Sequence, residues 1–578
     1  MWNQSIRALS ICYPIWMVLF IYPLPGFSQT RIHLSVQPPT LRIGITGDWQ
    51  GKDRAEIACA QNETESFQAV VTARGGSLRG VDAEVTSLRG GRGEIPAERI
   101  VLYREEYVRV KYSSPRATEA PGLFPDPLIP FRDPYSGEAV PVPQWNEENA
   151  PRNRFGAAGF DLWEDHHQPL WIDVHVPPNT PAGTYAGEIR VWARNAEAVD
   201  LPIQLTVWDF TLPAGPTHEN HFGGFGYLAR YHGIERDSPE FHRLEDRYAA
   251  MMAAHRLNPP LPARWLPEPA EDGSIQMTEE LDKQITEYVN RLHVTNLEIP
   301  RAPFRDALGA DRPKAIRFYR SWYAYLQSKG WESGAYHYML DEPNDAGQYE
   351  EVRQLGALLH EAEPRIRRLV VEQPYGQDPA WGVLDGAIDI WCPLFGFIDE
   401  DSVKRVQAQG DAMWSYTALV QAAPSYHPRF EEVKNGNPPY WQIDFPLTAY
   451  RIAPWLNRRY GITGLLYWST VFWQAPRRNP WDDPGFRLRF NGDGALFYPG
   501  NDAGIDGPVA SLRLKALRDG MEDYEYFALL EKLGGKTVVD EIVRQAVPTW
   551  AAWEPDGNRL MDLRRRLAEE ILKRRKAN

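Results

Sequence analysis

Cysteine is scarce. Three occur in 578 residues, and Cys12 lies in an apolar N-terminal stretch, which leaves Cys59 and Cys392 far apart in the chain. Two cysteines cannot build a disulfide framework, and no Cys-x-x-Cys pair offers a zinc site. Both are expected to be unpaired, in strands of different domains. The 13 histidines show no His-Glu-x-x-His spacing, so no metal is indicated. There is no glycine-rich phosphate loop of either nucleotide-binding type, and nothing else calls for a cofactor. A basic excess is missing too. The net charge is -14, which argues against nucleic acid as a main partner, because nothing is left over to neutralise phosphates. A membrane span is also not indicated. Residues 9–22 are mostly apolar, but the run is short and is interrupted by Pro14.

That run fits a different role. Arg7 precedes it, Pro23 and Pro25 break it, and Gly26-Phe27-Ser28 offers small residues for cleavage. Residues 1–28 therefore read as a signal peptide, with an uncleaved anchor as the alternative. The mature chain is expected to be secreted or periplasmic, with no span of its own.

Aromatic residues are plentiful: 21 Trp and 27 Tyr. Many must fill cores, but others fall near predicted strand ends, where sugar rings can stack. At this length two to four domains are expected. Residues 29–212 read as a β-sandwich. Ile203, Leu205 and Val207 alternate with Gln204 and Thr206, and Trp171-Ile172-Asp173-Val174-His175-Val176 repeats that period of two. Proline- and glycine-rich turns separate the runs. The proline-rich stretch 115–151 is hard to place in a sandwich. It reads as a long loop that packs against the neighbouring domain.

After a linker at 211–216 the pattern changes. Leu281, Ile285, Tyr288 and Leu292 mark one helical face; Ile316, Tyr319, Tyr323 and Leu326 mark a second; Tyr349, Val352, Leu355 and Leu359 a third. Strand candidates at 223–227, 257–261, 294–299, 334–340, 369–372, 387–393, 412–418 and 464–469 alternate with helices. This rhythm predicts parallel strands with helical crossovers over 217–505, a (β/α)8 TIM-like barrel, with a doubly wound sheet as the alternative. Residues 506–578 read as C-terminal helices packed on the barrel. Leu560, Leu563, Leu567 and Ile571 form one face, and Arg564-Arg565-Arg566 is expected on the solvated side.

The run Ala335-Tyr336-His337-Tyr338-Met339-Leu340-Asp341-Glu342-Pro343 carries the chemistry. An aromatic strand ends in two adjacent carboxylates and is stopped by proline. Sugar cleavage needs one group to protonate the leaving oxygen and another to hold negative charge beside an oxocarbenium-like centre. A solvated turn is the bland alternative for Asp-Glu-Pro. In a barrel, polar residues at strand C-terminal ends line the active face. That gathers Asp341 and Glu342 as catalytic candidates, with Tyr338, Glu372, Trp391, Tyr416, Tyr467 and Trp468 as substrate-binding candidates. Gln373, Thr417 and Ser469 belong to the same collection. Glu372 is equally compatible with a satisfied structural carboxylate, and Trp391 with the helix layer.

Several segments together resemble glycoside hydrolase family 123 and its relatives of the DUF4091 type. They are Gln61-Asn62-Glu63-Thr64-Glu65-Ser66-Phe67-Gln68, Pro181-Ala182-Gly183-Thr184-Tyr185-Ala186-Gly187, Asp341-Glu342-Pro343 and Gly492-Asp493-Gly494-Ala495-Leu496-Phe497-Tyr498-Pro499-Gly500. The most specific is Ser511-Leu512-Arg513 followed by Leu517-Arg518-Asp519-Gly520-Met521-Glu522-Asp523-Tyr524-Glu525-Tyr526, for which a structural role is expected. The resemblance implies a β-sandwich followed by a (β/α)8 barrel, and a β-N-acetylgalactosaminidase-like hydrolase acting on a glycan or glycoconjugate. It implies retention by substrate assistance, with the 2-acetamido oxygen as nucleophile. Glu342 then resembles the acid/base, and Asp341 the group that orients the acetamido. Two other readings stand beside it: a glycosidase with an enzyme-borne nucleophile such as Glu372, and a non-catalytic carbohydrate-binding protein. The exact sugar, the linkage and the oligomeric state are not encoded in any motif.

Overall fold

The computed structural model describes residues 29–144, 153–473 and 478–577. The predicted signal peptide, 1–28, and the end of the proline-rich stretch, 145–152, lie outside the described residues. Among the described residues no helix is long and apolar enough to cross a membrane.

The N-terminal region is β-rich, and its two seven-stranded sheets face each other. One sheet runs Arg31–Gln37, Glu63–Arg74, His167–Val176, Ile100–Val110, Gly122–Pro130, Pro508–Ser511 and Phe497–Pro499, antiparallel throughout. In the strand His167–Val176 the predicted alternation holds, yet both faces are buried. Leu170, Ile172, Val174 and Val176 meet Ile189, Val191 and Ile203 of the second sheet in a shared core. Trp171 and Asp173 point the other way, toward the helix Leu512–Lys532.

Two expectations need correction here. The stretch 115–151 is not simply a loop, because Gly122–Pro130 is a strand with three prolines. A proline cannot donate to a ladder; the register with Ile100–Val110 shifts between Glu105 and Tyr107, beside Pro125 and Pro127. Proline density hid the strand. The stretch still packs on the following domain: Arg116 donates to Tyr440 over 2.9 Å, and the Arg247 guanidinium lies 4.1 Å from the Tyr135 ring centre. Second, the strands Phe497–Pro499 and Pro508–Ser511 come from far along the chain and complete the N-terminal sheet, so the two regions share a sheet.

The second region is a curled parallel sheet of seven strands. In chain order they are Glu219–Phe222, Leu297–Glu298, Ala335–Asp341, Arg367–Val371, Ile390–Trp391, Ala412–Thr417 and Gly464–Tyr467. Every hydrogen-bonded neighbour is parallel. The predicted helical faces are buried apart from the half-buried Leu281 and Ile316: Ile285, Tyr288 and Leu292; Tyr319, Tyr323 and Leu326; Tyr349, Val352, Leu355 and Leu359. Thr278 and Asp345 cap two of these helices, and Asp399 caps the helix Glu400–Gln409, each by accepting from a backbone N–H one turn on.

Six of the eight expected strands coincide with strands of this sheet. The first strand lies at Glu219–Phe222 rather than 223–227, because Gly223 turns the chain away. Its φ is 30°, and a Cβ there would sit 2.4 Å from the Trp468 carbonyl oxygen. Residues 257–261 form no strand. Pro259, Pro260 and Pro262 cannot donate, so no ladder can form. Asparagine side chains bridge the gap instead. Asn258 N–H donates to Asn220 Oδ1 at 2.7 Å, Asn220 N–H to Asn296 Oδ1 at 3.0 Å, and Thr295 N–H to Asn258 Oδ1 at 2.8 Å.

The helix Leu512–Lys532, which carries the most specific motif, is buried along most of its length between the two regions. Arg513 pairs with Asp126 at 3.0 Å, Lys515 with Asp173 at 2.7 Å, and Arg451 with Asp523 at 2.8 Å. Leu560, Leu563, Leu567 and Ile571 are buried as expected. Arg564, however, is not on the solvated side. It is buried against Glu63, Glu65 and Asp523, whose charges require a cation in an interior position.

Candidate functional site

The strand Ala335–Asp341 alternates cleanly at first. Tyr336 and Tyr338 face the interior of the curl, in a cluster with Leu369, Ile390, Cys392, Trp414, Tyr416 and Leu466. His337 faces the helices, where it bonds the Ile299 carbonyl at 2.8 Å. The register with Arg367–Val371 shifts between Tyr338 and Leu340, and Asp341 ends the strand at the C-terminal mouth. Glu342 follows with φ 44°, a left-handed conformation that costs a side-chain-bearing residue energy and clusters at functional sites. Both carboxylates are exposed, while Pro343 behind them is buried.

Each carboxylate has a tyrosine. Tyr338 Oη donates to Asp341 Oδ1 over 2.9 Å. Tyr416 Oη, from the strand Ala412–Thr417 across the mouth, donates to Glu342 Oε1. Burial, and then the facing carboxylate, push both phenols well above the usual tyrosine range, so they remain donors. Beneath the mouth Glu219 and Arg367 form a pair at 2.7 Å, and Trp414 Nε1 donates to Glu219 at 3.3 Å. These groups close the floor.

The other predicted residues scatter. Glu372 is 3% exposed and enclosed by donors: Tyr349 Oη at 3.3 Å, Gln377 Nε2 at 3.2 Å and the Gln373 amide. Burial outweighs those donors and pushes its carboxyl up to about 8. Trp391 turns outward into the helix layer, its indole donating to Asp411 over 2.9 Å. Tyr467 also turns outward, packing on Phe222 and Trp441. Its hydroxyl accepts from Gly494 N–H at 2.7 Å. Trp468 is half-buried beside the mouth and packs on Phe472 and Phe486. It lies flat over Gly494, where a Cβ would come within 2.2 Å of the indole and φ is 72°. Gly494 of the Gly492-Asp493-Gly494 motif thus makes room for this ring. The structure brings Asp341, Glu342, Tyr338 and Tyr416 together, with Trp468 nearby. It does not bring Trp391 or Tyr467 to them, and it encloses Glu372.

Sequence reading missed His221, Glu298 and Tyr336. His221 Nδ1 lies 2.7 Å from Tyr336 Oη, and Glu298 Oε2 lies 3.8 Å from the same nitrogen. Glu298 stands at the concave mouth with its side chain 38% exposed, and the protein packed around it pushes its carboxyl up to about 7. The signal was there: Glu298 sits between Leu297 and Ile299, so alternation alone would have turned it inward.

An acid pair at the C-terminal mouth of a curled parallel sheet offers the proton donor and the anionic group that sugar cleavage requires. Residues 313–530 match the family model for the glycoside hydrolase 123 catalytic domain. The chain is similar, over 94% of its length and 97% of the other's, to a family 123 glycoside hydrolase from Clostridium perfringens studied for glycolipid glycan hydrolysis, with 14% identity and a TM-score of 0.64. That likeness extends the common fold to both regions. A family 39 glycoside hydrolase from Bacteroides cellulosilyticus shares 10% identity over 82% of each chain, with a TM-score of 0.31, too low to carry weight. No curated protein sequence matches the chain. Within this chain, residues 313–530 thus match a glycoside hydrolase 123 catalytic domain, and the wider likeness is one of fold.

Proposed function

We propose that the chain is an exported hydrolase that removes β-linked N-acetylgalactosamine, or a related 2-acetamido sugar, from a glycoconjugate by a substrate-assisted retaining mechanism. The observation that carries this reading is that Asp341 and Glu342 are adjacent at one mouth, each oriented by its own tyrosine. Adjacent carboxylates suit chemistry in which neither attacks carbon. Glu342 protonates the glycosidic oxygen. Asp341 accepts from the acetamido N–H, aims its oxygen at the anomeric carbon and stabilises the positive oxazolinium that forms. Glu342, now ionised, takes a proton from the water that opens that ring, and configuration is retained.

The enclosure of Glu372 weighs against an enzyme-borne nucleophile there, since a nucleophile must be ionised and open to the sugar. Two held carboxylates weigh against a non-catalytic binding protein. We read the curl as a (β/α)8 arrangement in which residues 257–261 take the eighth position without forming a strand. Export rests on the leader-like residues 1–28. The glycolipid glycans hydrolysed by the Clostridium perfringens enzyme name a first natural substrate to try.

The test is a screen of the purified mature chain on nitrophenyl β-glycosides with and without a 2-acetamido group. Turnover confined to acetamido sugars is expected. Turnover of plain glycosides alone would overturn the reading.

A further inference from the structure

The gap left by residues 257–261 opens a cavity of about 230 Å³ between the strands Glu219–Phe222 and Leu297–Glu298. Its walls differ in character. Pro260, Leu261 and Leu266 supply an apolar side; His221, Glu298 and Arg301 supply a polar one. A pocket with one apolar wall and a few converging polar groups suits a sugar, which has an apolar C–H face and a rim of hydroxyls.

Tyr338 stands between His221 of the cavity wall and Asp341 of the acid pair. The His221 ring lies 5.7 Å from the Tyr338 ring, centre to centre, and Tyr338 donates to Asp341 over 2.9 Å. A sugar whose acetamido group reaches Asp341 therefore has its ring beside His221 and Glu298.

The hydrogen bonding within the wall sets the roles. Tyr336 is buried, and its hydroxyl faces His221 Nδ1 at 2.7 Å. With the phenol donating to Nδ1, its hydrogen is paired within the wall. The His221 proton is then on Nε2, the atom left for a bound molecule. Burial holds the ring neutral by lowering its pKa to about 4. With Nδ1 already taken, Glu298 at 3.8 Å is not the partner of that nitrogen, and its carboxyl is available as an acceptor.

We propose that Glu298 and His221 are the specificity-determining pair of this site and hold one ring hydroxyl of the sugar seated against Asp341. His221 Nε2–H donates to the hydroxyl oxygen, and the hydroxyl hydrogen is donated to Glu298. This rests on the acetamido-sugar reading above. Because the pair holds a hydroxyl rather than the reacting atoms, it acts on affinity and on choice between sugars, not on the chemical step.

The experiment is calorimetric binding of free N-acetylgalactosamine, of its monodeoxy analogues and of plain galactose to the full mature chain. It compares the wild type with Glu298→Ala, Glu298→Gln and His221→Ala, each checked for folding by circular dichroism. Glu298→Ala is expected to weaken N-acetylgalactosamine roughly ten- to a hundredfold, the scale of a lost hydrogen bond to a carboxylate. Glu298→Gln, which still accepts, should recover most of that loss. One deoxy analogue should bind wild type and Glu298→Ala equally, because the held hydroxyl is already gone. In turnover, KM should rise in Glu298→Ala with kcat nearly unchanged. Unchanged affinity in Glu298→Ala, or the same loss for every deoxy analogue, would overturn the inference. If galactose binds and the acetamido sugar does not, the acetamido reading fails, and Glu298 is judged on galactose by the same comparison. Failure of the wild type to bind any of these sugars would also overturn the inference.

Discussion

Tyr338 and Asp341 lie on one strand, three residues apart, and the phenol of the first donates to the carboxylate of the second over 2.9 Å. The register shift between them makes this possible, because strict alternation would send residue 341 to the opposite face. Tyr338→Phe keeps the ring and removes the donor. A hydrogen bond to a charged group contributes about 1.5–3 kcal/mol, so kcat should fall roughly ten- to a hundredfold. The loss should be similar for good and poor leaving groups, since Asp341 serves the sugar ring and not the departing oxygen. A loss confined to poor leaving groups contradicts the assignment.

The two carboxylates should separate in the same kind of measurement. Glu342→Gln removes the proton donor, so substrates with poor leaving groups should lose nearly all turnover while activated aryl glycosides lose less. Asp341→Asn should harm both, because ring charge must be stabilised in either case. Equal losses in Glu342→Gln, with the first step shown to be rate-limiting, count against its role as acid.

The chain should also carry a pH-dependent cost in its β-rich region. Glu105 is fully buried, neither of its carboxyl oxygens has a hydrogen-bond partner, and burial pushes it up to about 8. Between its ordinary value of 4.5 and about 8, the unfolded chain ionises while the folded chain keeps the proton. The folded state then binds more protons, and stability falls as pH rises through that window. Glu105→Gln lacks this term. Its stability relative to wild type should improve from pH 5 to pH 8, by on the order of 3 kcal/mol. Melting curves of both proteins across that range check it; a constant difference would contradict it.

The region boundary depends on Asp126 and Arg513, paired at 3.0 Å with side chains 0% and 1% exposed. Tyr498 also donates to Asp126 over 2.7 Å. Asp126→Ala leaves a buried guanidinium without its counter-charge, which costs about 3–5 kcal/mol. A large drop in denaturant midpoint is expected, and a wild-type midpoint would show that the pair is dispensable.

Much of this molecule was legible in its sequence because local rules and tertiary structure agree. Helical faces such as Tyr349, Val352, Leu355 and Leu359 were read from period alone and are buried. Asp341 and Glu342 were legible because a proline stops an aromatic strand directly after two carboxylates. Other features depend on partners that periodicity cannot name. Trp391 and Tyr467 lie on or at the ends of correctly predicted strands but face the helices. Which parity faces inward is set by neighbouring strands, not by the strand itself. Arg564 reads as one more charge in a basic run, yet three carboxylates far away in sequence draw it inside. Residues 257–261 have the apolar content of a strand, but their prolines forbid the ladder, and the asparagines that replace it come from three separate segments.

The most direct measurement is inhibition by a thiazoline analogue of the acetamido sugar, a stable mimic of the cyclic oxazolinium intermediate. If the substrate's own acetamido oxygen is the nucleophile, the site is built to stabilise that charge and shape. The mimic should then inhibit competitively and bind more tightly than the free sugar, and Asp341→Asn should lose most of that advantage. Binding no tighter than the free sugar, together with a sugar ester trapped on a carboxylate of the enzyme, would contradict the account.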